Sequence, residues 1–489
     1  MNAVSQKRTR RDFVKAIGGT LAGVSLLATG RARGQALGSL PSGYRFYRVL
    51  TAGQGGSIGG LPNNLGAMTG SVMMASPLSG AGQAYIYLHG RHLNTGAPAL
   101  FRININYDQT PPAVSRVWAE AYEGGLLAGT GNVYADHIGV GASNALGEYV
   151  TTILPQNSQN PNTAPAVYLL TPGSTIGSWR RLIRFGDDAP DGSLYGGDFG
   201  DIALDDSENM LLVAATTQAP ASNKEAFSGS QALISTTIDG GSQSRVVIRT
   251  GDALPYTSSA IQSVGLVDLA ANNAFAAQVT AHLPHAGPYS GTALIAGDTQ
   301  ARTSGLRLVA ACPTVLTANS ASLLHVSSGN TYLGARVDPQ QDVTFVTHLS
   351  LFDASIGSNG LEELGYFSER SYRLGQTQPL ATNEEVLSYN APCIGNTGLV
   401  YVTQLLGDGT NQLIVSDGAN SNVLLQSGDK IPGVSPGGDL TITEIFFGQH
   451  ATQVDAFGRL AFTAEFAIDP NNLRDPNNFI TALVIGIPL

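Results

Sequence analysis

Three stretches of this chain share one grammar. RRLIRFGDDAP (Arg180 to Pro190), SRVVIRTGDALP (Ser244 to Pro255) and NVLLQSGDKIP (Asn422 to Pro432) each run an apolar strand into Gly-Asp and stop at a proline. Asp in such a turn accepts backbone N–H bonds, and Pro ends the ladder because it has no N–H to give. Weaker copies centre on Gly53, Gly124, Cys312 and Gly375, so the markers fall at 53, 124, 186, 251, about 312, 375 and 428. A second series keeps step with the first: a turn ending in Gly, Asn or Asp, followed by an alternating strand. It begins at Gly82, Gly147, Asn209, Asn273, Asp342, Gly398 and Gly458. Two series in register over seven units of 53 to 71 residues mean that one supersecondary unit is repeated along the chain.

Within one unit four strands are legible. In the fourth they are IQSVGLVDL, NAFAAQVTAH, TALIAG and LRLVAA, with Gly, Pro, Asn and Ser at the connections. No helical periodicity competes with them, and 59 glycines with 43% hydrophobic and only 13% charged residues suit a strand-and-turn chain. The fold expected is all-β, a seven-bladed β-propeller of four-stranded antiparallel blades. The last unit lacks a fourth strand before Leu489, whereas YRFYRVLT (Tyr44 to Thr51) supplies a fourth strand with no unit before it. The N-terminal strand 44–51 is therefore expected to complete the last blade and close the ring, which removes open sheet edges. Six blades is the nearest alternative, because the unit around Leu349 to Ser371 has the least regular strands.

Ahead of the repeats, TRRDFVK (Thr9 to Lys15) precedes an acid-free apolar stretch, Ala16 to Ala28, and a small-residue site ending at Ala36. This resembles a twin-arginine export signal, which implies that the protein folds before crossing the membrane and that residues 37–489, one propeller domain, become periplasmic or secreted. The apolar stretch is too short to span a bilayer comfortably. Residues 1–36 hold seven basic groups and one acid, so the remainder carries 19 basic against 35 acidic groups, a net of −16, with no basic run. A nucleic-acid partner is not expected of such a chain. Two cysteines, Cys312 and Cys393, leave a single disulfide open without demanding it, and a monomer is expected. The recurring G-D-x-x-P turns also resemble those of exported bacterial propeller-repeat proteins. That resemblance implies fold and carries no activity and no catalytic residues.

Candidate site residues come from stretches that break the repeat. YLHGRHLNTG places His89, Arg91 and His92 in the loop after the second strand of the first unit, where His, Arg and Tyr could act as base, carboxylate neutraliser and acid in elimination from an acidic polysaccharide. Asp201, Asn390 and His450 stand at matching places eight residues before the second-strand marker, where they face either a ligand or channel water. Asp187, Asp188 and Asp191 gather oxygens round a Gly-rich turn, as a hard cation such as calcium requires and as solvated turn carboxylates also do. No nucleophile elbow, P-loop or dinucleotide fingerprint is present, and no cofactor is implied. Two function classes follow. One is a binding or interaction module for a carbohydrate, envelope polymer or protein. The other is a polysaccharide-degrading lyase or hydrolase with its site at the channel mouth.

Overall fold

The computed structural model describes residues 40–489 apart from 54–56, 59–60, 63, 76–81, 157–164, 218–229, 240–243, 256–258, 271–272, 282–290, 301–304, 313–316, 319–320, 323–333, 338–342, 348–349, 358–359, 369–385, 396–398, 417–420, 434–437 and 449–452, and most strands between 307 and 388 are described in their backbone alone. The described chain is all-β, with a 3-10 turn at Pro476–Asn478. Consecutive strands pair antiparallel into four-stranded sheets over residues 65–122, 194–249 and 261–312 and five-stranded ones over 134–184 and 386–426, and a further sheet has three strands over 440–488 with Lys430–Ile431 at one edge. The last of these gains its outer strand from Tyr44–Thr51. First strands of successive sheets lie side by side, as Leu194–Leu204 does with Ile261–Leu269, which is the arrangement of blades in a β-propeller.

Blade cores follow from the two-residue period of a strand. In Asn209–Thr217, Leu211 and Val213 pack with Leu233 and Ile248 against Ile261, Val264 and Phe275 of the next blade. Their neighbours Met210 and Leu212 face the preceding blade and pack with Val150, Val167 and Leu169. Alternate residues thus bury against opposite neighbours, and both faces of every such strand must be apolar. This is why NMLLVAAT reads as a continuous apolar run.

Six blades have described packed interiors, one fewer than the seven predicted. The fifth unit of the repeat falls on Gly334–Ser368, where four strands pair in a ladder but side-chain packing lies outside the description. Its segment is the one whose sequence period is least regular, and a ladder without an observed apolar interior does not establish a blade.

The N-terminal strand does pair with the C-terminal one. Tyr44 lies opposite Pro488 and Thr51 opposite Ala482, with a bulge between Arg48 and Leu50. Phe46 enters the core between the 386–426 and 440–488 sheets, and Leu50 enters the next one, with Leu65, Ile86 and Phe101. Leu489 N–H donates to the Gly43 carbonyl at 3.0 Å, so this blade's third and fourth strands meet where the others have a turn.

Both marker series are hydrogen-bonded turns. Asp187, Asp252 and Asp429 each accept, at 2.9 Å, the N–H of the residue three places earlier: Arg184, Arg249 and Gln426. Gly186, Gly251 and Gly428 have φ of 82°, 96° and 95°, a region that a side chain strains. Their N–H groups donate to Tyr195, Ile261 and Ile442 on the first strand of the next blade. In the second series Asn144, Asp205 and Asp455 accept the N–H groups two and four residues on, at 2.8 to 3.1 Å, joining first strand to second. A third tie, absent from the sequence reading, links outer edges. Arg116, Arg180 and Arg245 on fourth strands donate to the carbonyls of Ser174, Ile238 and Gln300 in the following blade.

Candidate functional site

His89, Arg91 and His92 lie on a strand, Gln83–His92, and not in a loop. The correction has a simple cause: Pro98 pairs with Arg91 and Leu100 with His89, so the hairpin carries the ladder further than its polar sequence suggests. Strand alternation then splits the three. His92 is buried on one face, stacked at 4.7 Å on Tyr122 with Nδ1 3.1 Å from Thr95 Oγ1. His89 and Arg91 share the other. Arg91 donates to the Gly96 carbonyl at 2.9 Å. His89 Nε2 lies 2.9 Å from Tyr149 Oη of the neighbouring blade. Burial, with His137 nearby, lowers the His89 pKa to about 4, so the ring is neutral at pH 7. Tyr149 is fully buried and also accepts the Gly141 N–H at 3.0 Å. The result is a polar strut between blades. It does not bring a base, a cation and an acid to one point.

The second set is equally dispersed. Asp201 Oδ2 accepts the Val267 N–H at 2.9 Å, tying the first strands of two blades. Asn390 is exposed and donates to Thr403 Oγ1 at 2.8 Å. His450 lies outside the described residues.

At the acidic turn the carboxylates already have protein partners. Asp187 accepts from the Arg184 backbone and side chain, both at 2.9 Å. Asp191 accepts from Ser193 and lies 3.0 Å from Arg249 Nη2. Despite some burial cost, the Ser193 bonds and Arg249 hold the Asp191 carboxyl below the usual range. Asp188 is exposed in the same turn. Among the described residues, no three His, Cys, Asp or Glu side chains gather as metal ligands. Cys393 is buried with its thiol toward Gln453 Oε1 at 3.7 Å, and the Cys312 side chain lies outside the description.

Two features escaped the sequence reading. The first is an ion pair with no exposure at either side chain, Arg102 Nε to Glu120 Oε1 at 2.6 Å, on facing third and fourth strands of the 65–122 blade. Arg102 Nη2 also donates to the Gly173 and Thr175 carbonyls of the next blade, at 3.0 and 2.5 Å. Its guanidinium lies 4.0 Å from the Trp118 ring centroid and 4.9 Å from that of Tyr85. Glu120 also accepts the Gly177 N–H at 2.7 Å, yet burial outweighs these partners and raises its pKa. The second feature is apolar. Leu126, on the connection between two blades, bridges to Tyr134, the first residue of the next blade's strand Tyr134–Ile138, and the two remain 49% and 44% exposed. Gly124, Gly129 and Gly131, all with φ above 80°, shape that connection and are its signal in the sequence.

No protein-family model matches the chain, and no curated protein matches it. Solved structures do resemble it. A six-bladed β-propeller lectin from Aleuria aurantia is 11% identical, with 76% of this chain and 98% of that one covered and a TM-score of 0.33. An ulvan lyase of a polysaccharide lyase family is 9% identical, with 91% and 95% covered and a TM-score of 0.36. The acylaminoacyl peptidase of Pyrococcus horikoshii is 9% identical over 81% of this chain, with a TM-score of 0.37, and this chain spans about half of its length, 49%. The names of these neighbours differ in what they bind or act on. Identity of the fold here rests on strand order, and none of them supplies an activity.

Proposed function

We propose that this chain is an exported β-propeller that acts as a binding or interaction module for a carbohydrate, an envelope polymer or a protein. The observation that supports it is the Leu126–Tyr134 pair. Facing side chains on a bridge pair stand on the same side of the ladder, and here a leucine and an aromatic ring are held open to solvent by a glycine-shaped connection. Rigid frames that present such groups on connections are a common way to bind. A glycan array and a pull-down from envelope extracts test the reading with the mature protein. Tyr134→Ala should cut binding at least tenfold with an unchanged melting temperature, and undiminished binding would remove this surface from the proposal.

The polysaccharide-degrading reading stands behind it, favoured by one observation, the neutral His89 ring against a tyrosine hydroxyl. It requires a polymer to reach His89 although Tyr149 is buried. Absorbance from unsaturated uronates, or new reducing ends, on incubation with acidic polysaccharides would establish it.

Export through the twin-arginine route, with residues 1–36 as the signal, belongs to the same proposal. It rests on Arg10, Arg11, Phe13 and Lys15. Mass spectrometry of the exported protein should find an N-terminus near Leu37, and unchanged export of an Arg10→Lys, Arg11→Lys variant would refute it. We further propose that Tyr44–Thr51 closes the ring.

A further inference from the structure

We propose that the outer half of the interface between the 65–122 and 134–184 blades is a saccharide-binding site. The proposal rests on the binding-module reading and adds to it a second surface, separate from the Leu126–Tyr134 pair. Most blade interfaces here are apolar, and this one turns polar towards the outer edge. Arg102 and Asn104 stand two apart on one strand, so they share a face. Trp118 and Arg116 lie opposite them on the next strand, and Tyr85 lies opposite Asn104 on the other side.

Three polar atoms on this face are buried without a partner among the described residues: Arg102 Nη1, Trp118 Nε1 and Asn104 Oδ1. Two are donors and one is an acceptor. Neighbouring hydroxyls of a sugar match that set, since each hydroxyl both gives and accepts. Half-buried Tyr85 supplies the flat apolar surface against which the C–H face of a sugar ring packs, while Trp118, covered by the Arg102 guanidinium at 4.0 Å, contributes its N–H. Arg116 is exposed at the rim, 5.9 Å from the Trp118 ring centroid, and adds a cation to a strongly acidic chain. Uronic acid units therefore fit better than neutral sugars. The turn 173–177, exposed at Ser174, Thr175 and Ile176, lies over the site and is held by carbonyls, those of Gly173 and Thr175 on Arg102 and that of Ser174 on Arg116. Ligand oxygens that reach the arginines replace those carbonyls and lift the turn.

The chain has two tryptophans, and both lie here: Trp179 Nε1 donates to the Glu120 carbonyl at 3.0 Å. Selectively excited tryptophan emission thus reports on this interface, apart from the 17 tyrosines spread along the chain. The experiment titrates the mature protein, and a Trp179→Phe variant that leaves Trp118 as the emitter, with uronic acid and neutral oligosaccharides. Saturable change in emission is expected with the uronic acid series and at least tenfold weaker change with the neutral one. On a glycan array, Trp118→Phe, which keeps a ring but loses the N–H, and Arg116→Ala should each weaken binding at least tenfold while Arg249→Ala does not. Glycan binding that survives both substitutions would overturn this site and leave the module reading intact. No glycan binding by the unaltered protein would overturn the site and confine the module reading to protein partners. A high-resolution crystal structure soaked with the oligosaccharide that shows only an ordered water on the three atoms would also overturn it.

Discussion

An aspartate is used three times in this chain for the same task. Asp187, Asp252 and Asp429 each receive the N–H three residues back while the preceding glycine bonds to the next blade. A charged acceptor for a backbone N–H contributes about 1.5 to 3 kcal/mol, less where water competes. Asp252→Ala should therefore lower the unfolding free energy by about 1 to 2 kcal/mol, and Asp252→Asn by less, as urea denaturation would measure. A second residue gives the molecule a pH dependence. Unfolded, His89 binds its proton near 6.5, and folded it does so only near 4. Between those values the unfolded chain holds more protons, so stability falls as pH drops from about 6.5 towards 4 and this contribution is then fully lost. The two pKa values set an upper bound of about 3 kcal/mol, reduced by the ring's partial exposure. The groups facing it are the Tyr149 hydroxyl and His137. His89→Gln should flatten that limb in denaturation curves taken at pH 7, 5.5 and 4, and an unchanged slope would mean that another group sets it.

At the scale of strands the repeat was legible because both faces of a blade are buried and both turn types need particular residues. IQSVGLVDL matches Ile261–Leu269, and YRFYRVLT matches Tyr44–Thr51. What was not legible was which polar side chains meet. His89 and Tyr149 are 60 residues apart and in different blades, and Arg102 and Glu120 pair across a ladder whose register no local pattern fixes. Polar residues that broke the repeat looked like candidates for chemistry, and several turn out to tie neighbouring blades. The fourth strand of the last blade invites a direct test. Tyr44–Thr51 buries Phe46 and Leu50 in two different cores. At about 25 cal/mol per Å² of apolar area, such burial amounts to several kcal/mol out of a usual 5 to 15. Deleting residues 43–53 should make the protein aggregate or melt far below the mature form, and unchanged melting and solubility would mean that the strand is dispensable.

For the molecule as a whole, two kinds of tie between blades run in one sense. Gly-Asp turns reach forward to the next first strand, and outer-strand arginines reach forward to the next blade's carbonyls. Asn422 does the same with the Pro41 carbonyl, so the residues ahead of the N-terminal strand sit where a turn sits elsewhere. With Leu489 and Gly43 in hydrogen-bond contact, covalent continuity at this point is not what holds the blade together. A circular permutant that links Leu489 to Pro41 through a short spacer, and opens the chain between Thr217 and Ser230, should fold and melt no lower than the mature protein. Failure to fold would show that the order of strands along the chain matters beyond their places in the sheet.

Strand pairing between Tyr44–Thr51 and Phe479–Pro488 also sets a timetable for synthesis. A ribosome makes the first of these strands more than four hundred residues before its partner. At 5 to 20 residues per second, the early strand waits on the order of twenty seconds or more with Phe46 and Leu50 unburied. Every blade between them can assemble on the emerging chain, but the last cannot. Whatever shields that strand in the interval, a chaperone or a passing contact with an earlier blade, is thus part of how this protein reaches its native state.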